Sequence, residues 1–183
     1  DIMFIAYSKS TLLATNGGEN LLNKINSLKN IKCIEFEENI FKYMTDTVNP
    51  QGVLAVFKMP EYNLSEILNG YNKNVVILDK VQDLGNIGTI VRSCNAFDVE
   101  VIICTLGTAD VYSPKTLRST MGAILNTKVI YLENVSELEI LKEKGYDIVT
   151  TSLQGTENLS ILSENKKFAF VMGGDMLVYF DKW

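Results

Sequence analysis

The sequence predicts an α/β fold, a mainly parallel sheet with helices on both faces. Two observations predict it. Short apolar runs rich in β-branched residues recur along the chain, bounded by polar turn residues. Between them lie segments whose apolar residues return at helical spacing. The 183-residue length suits one domain or two small ones, and 46% apolar with 21% charged residues is an ordinary globular composition.

Residues 1–60 read as a small α/β unit. Ile2–Tyr7 is a strand. Leu21, Leu22, Ile25 and Leu28 mark a helix over 20–28, Ile31–Phe36 alternates as a second strand, and Ile40, Phe41 and Met44 share one face of a helix over 37–44. A turn cluster, Asp46 to Gly52, precedes a third strand, Val53–Phe57. Residues 61–73 read as a linker with a short helix capped by Ser65 and ended by Asn69-Gly70.

From residue 74 the alternation becomes regular. Val75–Leu78 is a continuous apolar run, the pattern of a buried parallel strand. A polar loop over 79–86 holds Asp83, Gly85 and Asn86; Ile87, Ile90, Val91, Cys94 and Phe97 then recur at helical spacing. Further strands follow at 99–104, 129–132, 148–151 and 168–172. Ser113 caps a helix that Pro114 begins, and an amphipathic helix over 136–144 closes at Gly145. In an open α/β sheet the loops at the carboxyl ends of the strands bind ligands. The loop 79–86, the following helix N-terminus and Arg92 suit a phosphate or another anion, although Arg92 on a solvated face is an equally ordinary arrangement.

Composition excludes several chemistries. There is no histidine in this sequence, hence no histidine triad, histidine metal site or histidine general base. Cys33, Cys94 and Cys104 show no metal-ligand spacing and read as reduced core residues of a cytoplasmic protein; no metal is expected. No apolar run approaches the roughly 18 residues of a membrane span. The net charge of −5 gives no general support to RNA binding.

The stretch DLGNIGTIVRSCNAF resembles the first signature of the SpoU/TrmH family of RNA ribose methyltransferases, of the knotted SPOUT superfamily. Asp83, Asn86, Gly88, Arg92, Ala96 and Phe97 match it. Leu84 stands for the usual proline and Asp98 for the usual glycine. SPKTLRSTMGAILNTKV resembles the second signature through Arg118, Thr120, Gly122 and Ala123. Small residues at Gly122 and Ala123 read as a place where backbones approach closely. FAFVMG over 168–173 resembles the strand and turn before the family's cofactor loop. The family's later I-P-M and S-L-N stretches are not in this sequence; a knot segment is expected to be missing after Gly173/Gly174, with MLVYFDKW as the end of the closing helix.

The resemblance implies a substrate-binding domain, L30e-like and partial, over 1–60, a linker over 61–73, and a trefoil-knot SPOUT methyltransferase domain over 74–183. It implies S-adenosyl-L-methionine as cofactor, RNA as substrate (ribosomal rather than transfer RNA) and a homodimer. Arg92 and Asn86 are the implied catalytic pair. A guanidinium keeps its charge, so Arg92 is read as stabilising a developing alkoxide and anchoring phosphate. Cofactor contacts are expected from Thr151, Ser152, Leu153, Met172, Gly173 and Gly174, and RNA contacts from Lys115, Arg118, Asn49 and Gln51. The competing readings are a non-catalytic RNA-binding protein of this fold and an unrelated nucleotide-binding α/β protein.

Overall fold

The computed structural model describes residues 1–150 and 166–173, and the chain divides into two compact units, Asp1–Pro60 and Glu61–Trp183.

In the first unit, β1 (Ile2–Tyr7) is the middle of a three-stranded sheet, parallel to β2 (Lys32–Glu35) and antiparallel to β3 (Val53–Phe57). Helix α1 (Lys9–Leu13) follows β1 directly; α2 (Gly18–Ser27) and α3 (Glu38–Met44) flank β2 in sequence. Ile5, Leu12, Leu22 and Ile25 form the core on one side of the sheet. Helix α1 was not anticipated, because five residues are too few to display a helical period.

The second unit opens with α4 (Leu64–Leu68), whose Leu64 and Leu68 are buried in that unit's core. Its cap is Asn63, not Ser65: the Asn63 side chain accepts the Glu66 N–H at 3.1 Å. Five parallel strands follow: β4 (Val75–Asp79), β5 (Val101–Cys104), β6 (Lys128–Tyr131), β7 (Tyr146–Thr150) and β8 (Lys167–Gly173). Their order is β6-β5-β4-β8-β7. The chain runs outward from β4 to β6, crosses to the far edge at β7 and returns through β8 to lie beside β4. The expected strands are all present, and the sheet is parallel throughout.

Strand β4 is buried along its whole length because both faces are covered. Val75 and Ile77 pack with Val101, Ile103, Leu138 and Leu141 on one face. Val76 and Leu78 pack with Ile87, Val91 and Cys94 of α5 (Leu84–Ala96) on the other. Burying a side chain of this size contributes about 1.5–3 kcal/mol, so the alternation of the two sets fixes the register of α5 against the sheet.

Helix α6 (Pro114–Ser119) begins as expected, with Pro114 at its first turn and the Ser113 side chain accepting the Thr116 N–H. A 3₁₀ turn, Ala123–Asn126, leads into β6. The segment read as one helix over 136–144 is a 3₁₀ turn, Val135–Leu138, followed by α7 (Glu139–Glu143). Its start is set by Asn134 and Glu137, which cap each other's backbone as a capping box.

Candidate active site

Helix α5 begins three residues earlier than its apolar period suggests. Asp83 is its N-cap and accepts the Asn86 N–H on Oδ1 at 2.6 Å. Gly85 and Asn86 are therefore first-turn residues, not loop residues as the sequence reading placed them. Asp83 three residues before Asn86 was the signal that would have found this. The Asn86 side chain is exposed at the helix N-terminus, beside the carboxyl end of β4.

Arg92 is exposed on the same helix. Its Nη2 donates to Thr89 Oγ1 at 3.4 Å, and Thr89 Oγ1 donates to the Gly85 carbonyl at 3.0 Å. Residues 85, 89 and 92 follow an i, i+4, i+7 line, so this chain of bonds turns the guanidinium toward the N-terminus of α5. Asn86 and Arg92 are about 9 Å apart along the helix axis. Among the described residues no carboxylate lies within ion-pair distance of Arg92.

Gly88 has a packing job. A β-carbon there would lie 1.8 Å from Ser119 Oγ, 2.6 Å from Ser119 Cβ and 2.9 Å from the Ser119 carbonyl carbon. The bare glycine lets α6 close onto α5, where Ser119 Oγ donates to the Leu84 carbonyl at 3.2 Å and the Thr116 carbonyl at 2.7 Å. That contact sets α6 beside α5, and Lys115 and Arg118 are exposed on it. Gly122, by contrast, makes no close approach in this chain: nothing lies within 4 Å of a β-carbon there, and its φ of +86° is the requirement.

The C-terminal end of α5 closes with a Schellman arrangement. The Val99 N–H donates to the Cys94 carbonyl at 2.8 Å and the Asp98 N–H to the Asn95 carbonyl at 3.4 Å. Asp98 adopts φ +60° to do so. That left-handed position is where glycine fits without cost, which gives the departure at Asp98 a backbone consequence the sequence reading did not see. Lys73 holds the strained residue, with Nζ 2.8 Å from Asp98 Oδ2 and 2.5 Å from Glu100 Oε1. The hydrogen bonds that the Lys73 ammonium donates to Asp98 and Glu100 raise it above its ordinary pKa.

The remaining candidates divide by position. Met172 is half-buried against the α5-side core and lies within β8, paired in register with Leu78. Gly173 is exposed at the end of β8, paired in register with Asp79. Thr151, Ser152, Leu153 and Gly174 lie outside the described residues. Asn49 and Gln51 are exposed in the first unit, before β3, where the Gly52 carbonyl accepts the Ser8 N–H at 2.9 Å.

Charge is distributed unevenly. Residues 1–60 carry six lysines against six Asp and Glu, so the net charge of −5 falls on residues 61–183. Glu133, Glu137, Glu139 and Glu143 belong to the segment covering the sheet face opposite α5. A cavity of about 510 Å³ opens at the amino ends of β5 and β6, lined by Asn95, Glu100, Leu125, Thr127 and Lys128, away from the carboxyl edge. Burial pushes the Cys94 and Cys104 thiols up to about 11 and about 12, which removes both as nucleophiles near neutral pH. Among the described residues no group of three or more His, Cys, Asp or Glu side chains is placed to hold a metal ion, and no helix is long and apolar enough to cross a membrane.

The model of the SpoU rRNA Methylase family matches residues 73–175, more than half of the chain. The chain belongs to the SpoU rRNA methylase family. A second family model, RNA 2′-O ribose methyltransferase substrate binding, matches residues 8–63. The chain is 32% identical over 145 residues to the 23S rRNA (guanosine(2553)-2′-O)-methyltransferase RlmP of Bacillus subtilis, covering 79% of this chain and 56% of that protein. It is 35% identical over 103 residues to the mitochondrial rRNA methyltransferase 3A of Danio rerio, 54% of this chain and 24% of that one. It thus spans about half or less of the length of these curated relatives. The AdoMet-bound rRNA methyltransferase from Sinorhizobium meliloti superposes with a TM-score of 0.77 at 25% identity, over 96% of this chain and 64% of that one. The SpoU methyltransferase AviRb from Streptomyces viridochromogenes, with a TM-score of 0.79 at 21% identity over 100% of this chain and 69% of that one, shares the fold.

Proposed function

We infer that this SpoU-family chain works as an S-adenosylmethionine-dependent ribose 2′-O-methyltransferase acting on RNA, ribosomal rather than transfer RNA. One observation carries the reading. Asp83 and Gly88 of the first signature are used to cap and pack α5, whereas Asn86 and Arg92 stand exposed and, among the described residues, have no structural partner beyond their own helix. The residues with chemistry to spare are those a methyl transfer needs.

The chain's carboxyl edge suits the cofactor. Gly173 ends a central strand in the open, level with the end of β4, and with Met172 just before it is assigned to cofactor contact. Thr151, Ser152, Leu153 and Gly174 are assigned to the same set on the resemblance. Bound there, S-adenosylmethionine supplies an electrophilic methyl group. As the ribose 2′-oxygen took the methyl group, S-adenosylhomocysteine would leave and the hydroxyl proton would pass to solvent; Arg92 would stabilise the negative charge on the oxygen and Asn86 would orient the hydroxyl. Lys115 and Arg118 on α6 contact phosphate.

Residues 1–60 serve as the substrate-binding domain, with Asn49 and Gln51 on RNA, followed by a connector over 61–73 and the methyltransferase domain over 74–183. A homodimer is supported by Phe97, Met121 and Leu125, which are 82%, 79% and 69% exposed on α5 and the turn beside it. Buried, unreactive thiols suit a cytoplasmic protein. The acidic balance favours a second reading, an RNA-binding relative without catalysis.

Calorimetric titration with S-adenosylmethionine, of the wild type and of Arg92→Ala, separates the two. Cofactor binding in both, with methyl transfer to bulk ribosomal RNA lost only in the variant, supports the enzyme and places Arg92 on the chemistry. No binding by the wild type leaves the RNA-binding reading.

A further inference from the structure

Upstream of α5, two loops at the carboxyl edge are stitched together. The Leu78 carbonyl accepts both the Thr105 N–H at 3.0 Å and the Thr108 hydroxyl at 2.9 Å. The Val81 carbonyl accepts the Ala109 N–H at 2.9 Å, and the Gln82 side-chain amide donates to the Gly107 carbonyl. At the centre is one hydroxyl. Thr105 Oγ1 donates to Asp79 Oδ1 at 2.6 Å and accepts the Lys80 N–H at 3.3 Å. Thr105 and Asp79 are 4% and 8% exposed. Among the described residues no cation lies within ion-pair distance of Asp79, so its carboxylate is buried against a neutral partner, an arrangement that gains little stability by itself.

Lys80 adopts φ +54°, a left-handed conformation that side chains bearing a β-carbon resist. It lies three residues before Asp83, the cap of α5. The turn at Lys80 therefore decides how the chain leaves β4 and enters the helix.

We propose that Thr105 is a positioning residue for the methyl-transfer site. Its hydroxyl, oriented by Asp79, holds Lys80 in the left-handed turn and so aims the first turns of α5, with Asn86 and Arg92, at the edge formed by β4 and β8. Thr105 itself touches no reacting atom. The proposal rests on the methyltransferase reading above and deepens it.

The test uses the full chain and four variants: Thr105→Val, Thr105→Ser, Lys80→Gly and the double Lys80→Gly/Thr105→Val. Valine keeps the shape of threonine and loses both bonds; serine keeps both. Glycine adopts a positive φ freely, so at position 80 it supplies what the Thr105 hydroxyl imposes. The readouts are kcat and KM for methyl transfer from S-adenosylmethionine to bulk ribosomal RNA, thermal unfolding, and hydrogen exchange of the amides over 80–87.

Thr105→Val is expected to lower kcat by about tenfold or more, the scale of a small misalignment, with KM for S-adenosylmethionine nearly unchanged and faster exchange at Asn86 and Ile87. Thr105→Ser restores both. The double variant, measured against Lys80→Gly, recovers most of the lost kcat and the lost protection. A double variant no better than Thr105→Val, or a Thr105→Val whose loss of activity only follows its loss of stability with exchange over 80–87 unchanged, overturns the proposal. If the wild type transfers no methyl group, the methyltransferase reading fails, and the exchange data still decide whether Thr105 governs the turn.

Discussion

Replacing Gly88 with alanine puts the packing of α5 on α6 to a direct test. Alanine in a helix interior is worth about 0.5–1 kcal/mol more than glycine. Against this stands a β-carbon 1.8 Å from Ser119 Oγ and 2.9 Å from the Ser119 carbonyl carbon. A rotamer change can move the hydroxyl, at the loss of its bonds to the Leu84 and Thr116 carbonyls; each contributes about 0.5–1.5 kcal/mol. It cannot move the backbone carbon, so α6 must shift, and overpacking of this kind costs about 1–3 kcal/mol. The balance is a net loss centred on about 3 kcal/mol, a fall in Tm of about 6–12 °C for a chain of this size. Gly85→Ala is the control. It lies on the same helix, but its β-carbon would meet only Asp83 Oδ1 at 3.2 Å, so it should be neutral or slightly stabilising. Adding Ser119→Gly to Gly88→Ala removes two of the three close atoms and should recover part of the loss. Calorimetric scans and urea titrations of the four proteins read the result. A Gly88→Ala variant as stable as Gly85→Ala would refute the reasoning.

Asp83→Ala should cost about 1 kcal/mol and Asp83→Ser much less, since the carboxylate caps α5 through the Asn86 N–H; circular dichroism melts compare them. Asp98→Gly relieves a left-handed residue worth about 1–2 kcal/mol and gives up an exposed ion pair worth about 0–1 kcal/mol, so urea titration should show unchanged or higher stability. The Cys94 and Cys104 thiols are raised by burial from 9.0 to about 11 and about 12. A raised thiol pKa stabilises the fold below the unfolded value and loses that contribution as pH climbs toward the folded one. Stability should therefore decline between about pH 9 and 12, and a thiol reagent at pH 8 should modify Cys94 and Cys104 only after denaturant is added.

What the sequence made legible follows from how local each signal is. Strand β4 was readable because burial on both faces leaves an unbroken apolar run, Val75 to Leu78. The start of α6 was readable because Ser113 and Pro114 announce it within two residues. The cap of α4 was misplaced where two candidates, Asn63 and Ser65, stood close together, and Glu66 three residues after Asn63 carried the distinction. No cap was assigned to the turn at 135–138, although Glu137 three residues after Asn134 marks it. The start of α5 was missed because Gly85 and Asn86 look like turn residues, although Asp83 caps them into the helix. The Asp79–Thr105 bond was out of reach, since it joins residues 26 apart through the pairing of β4 with β5. No local pattern encodes a contact that only sheet register creates.

The first signature mixes two kinds of demand, and the structure separates them. Asp83 completes a helix N-terminus, Gly88 admits a neighbouring helix, and the position of Asp98 must accept a left-handed turn. Each could be met by any residue with the same cap, the same lack of bulk or the same backbone tolerance, which is why Asp98 can stand where glycine is usual while Lys73 ties it down. Asn86 and Arg92 answer to no such demand. Their side chains fill no core, cap no other element and pair with no charge among the described residues. A guanidinium left solvated on a helix face contributes almost nothing to folding, so substitution of Arg92 should leave stability within about 0.5 kcal/mol while abolishing the methyl transfer proposed above. That split between stability and activity is what distinguishes a residue held for chemistry from one held for the fold.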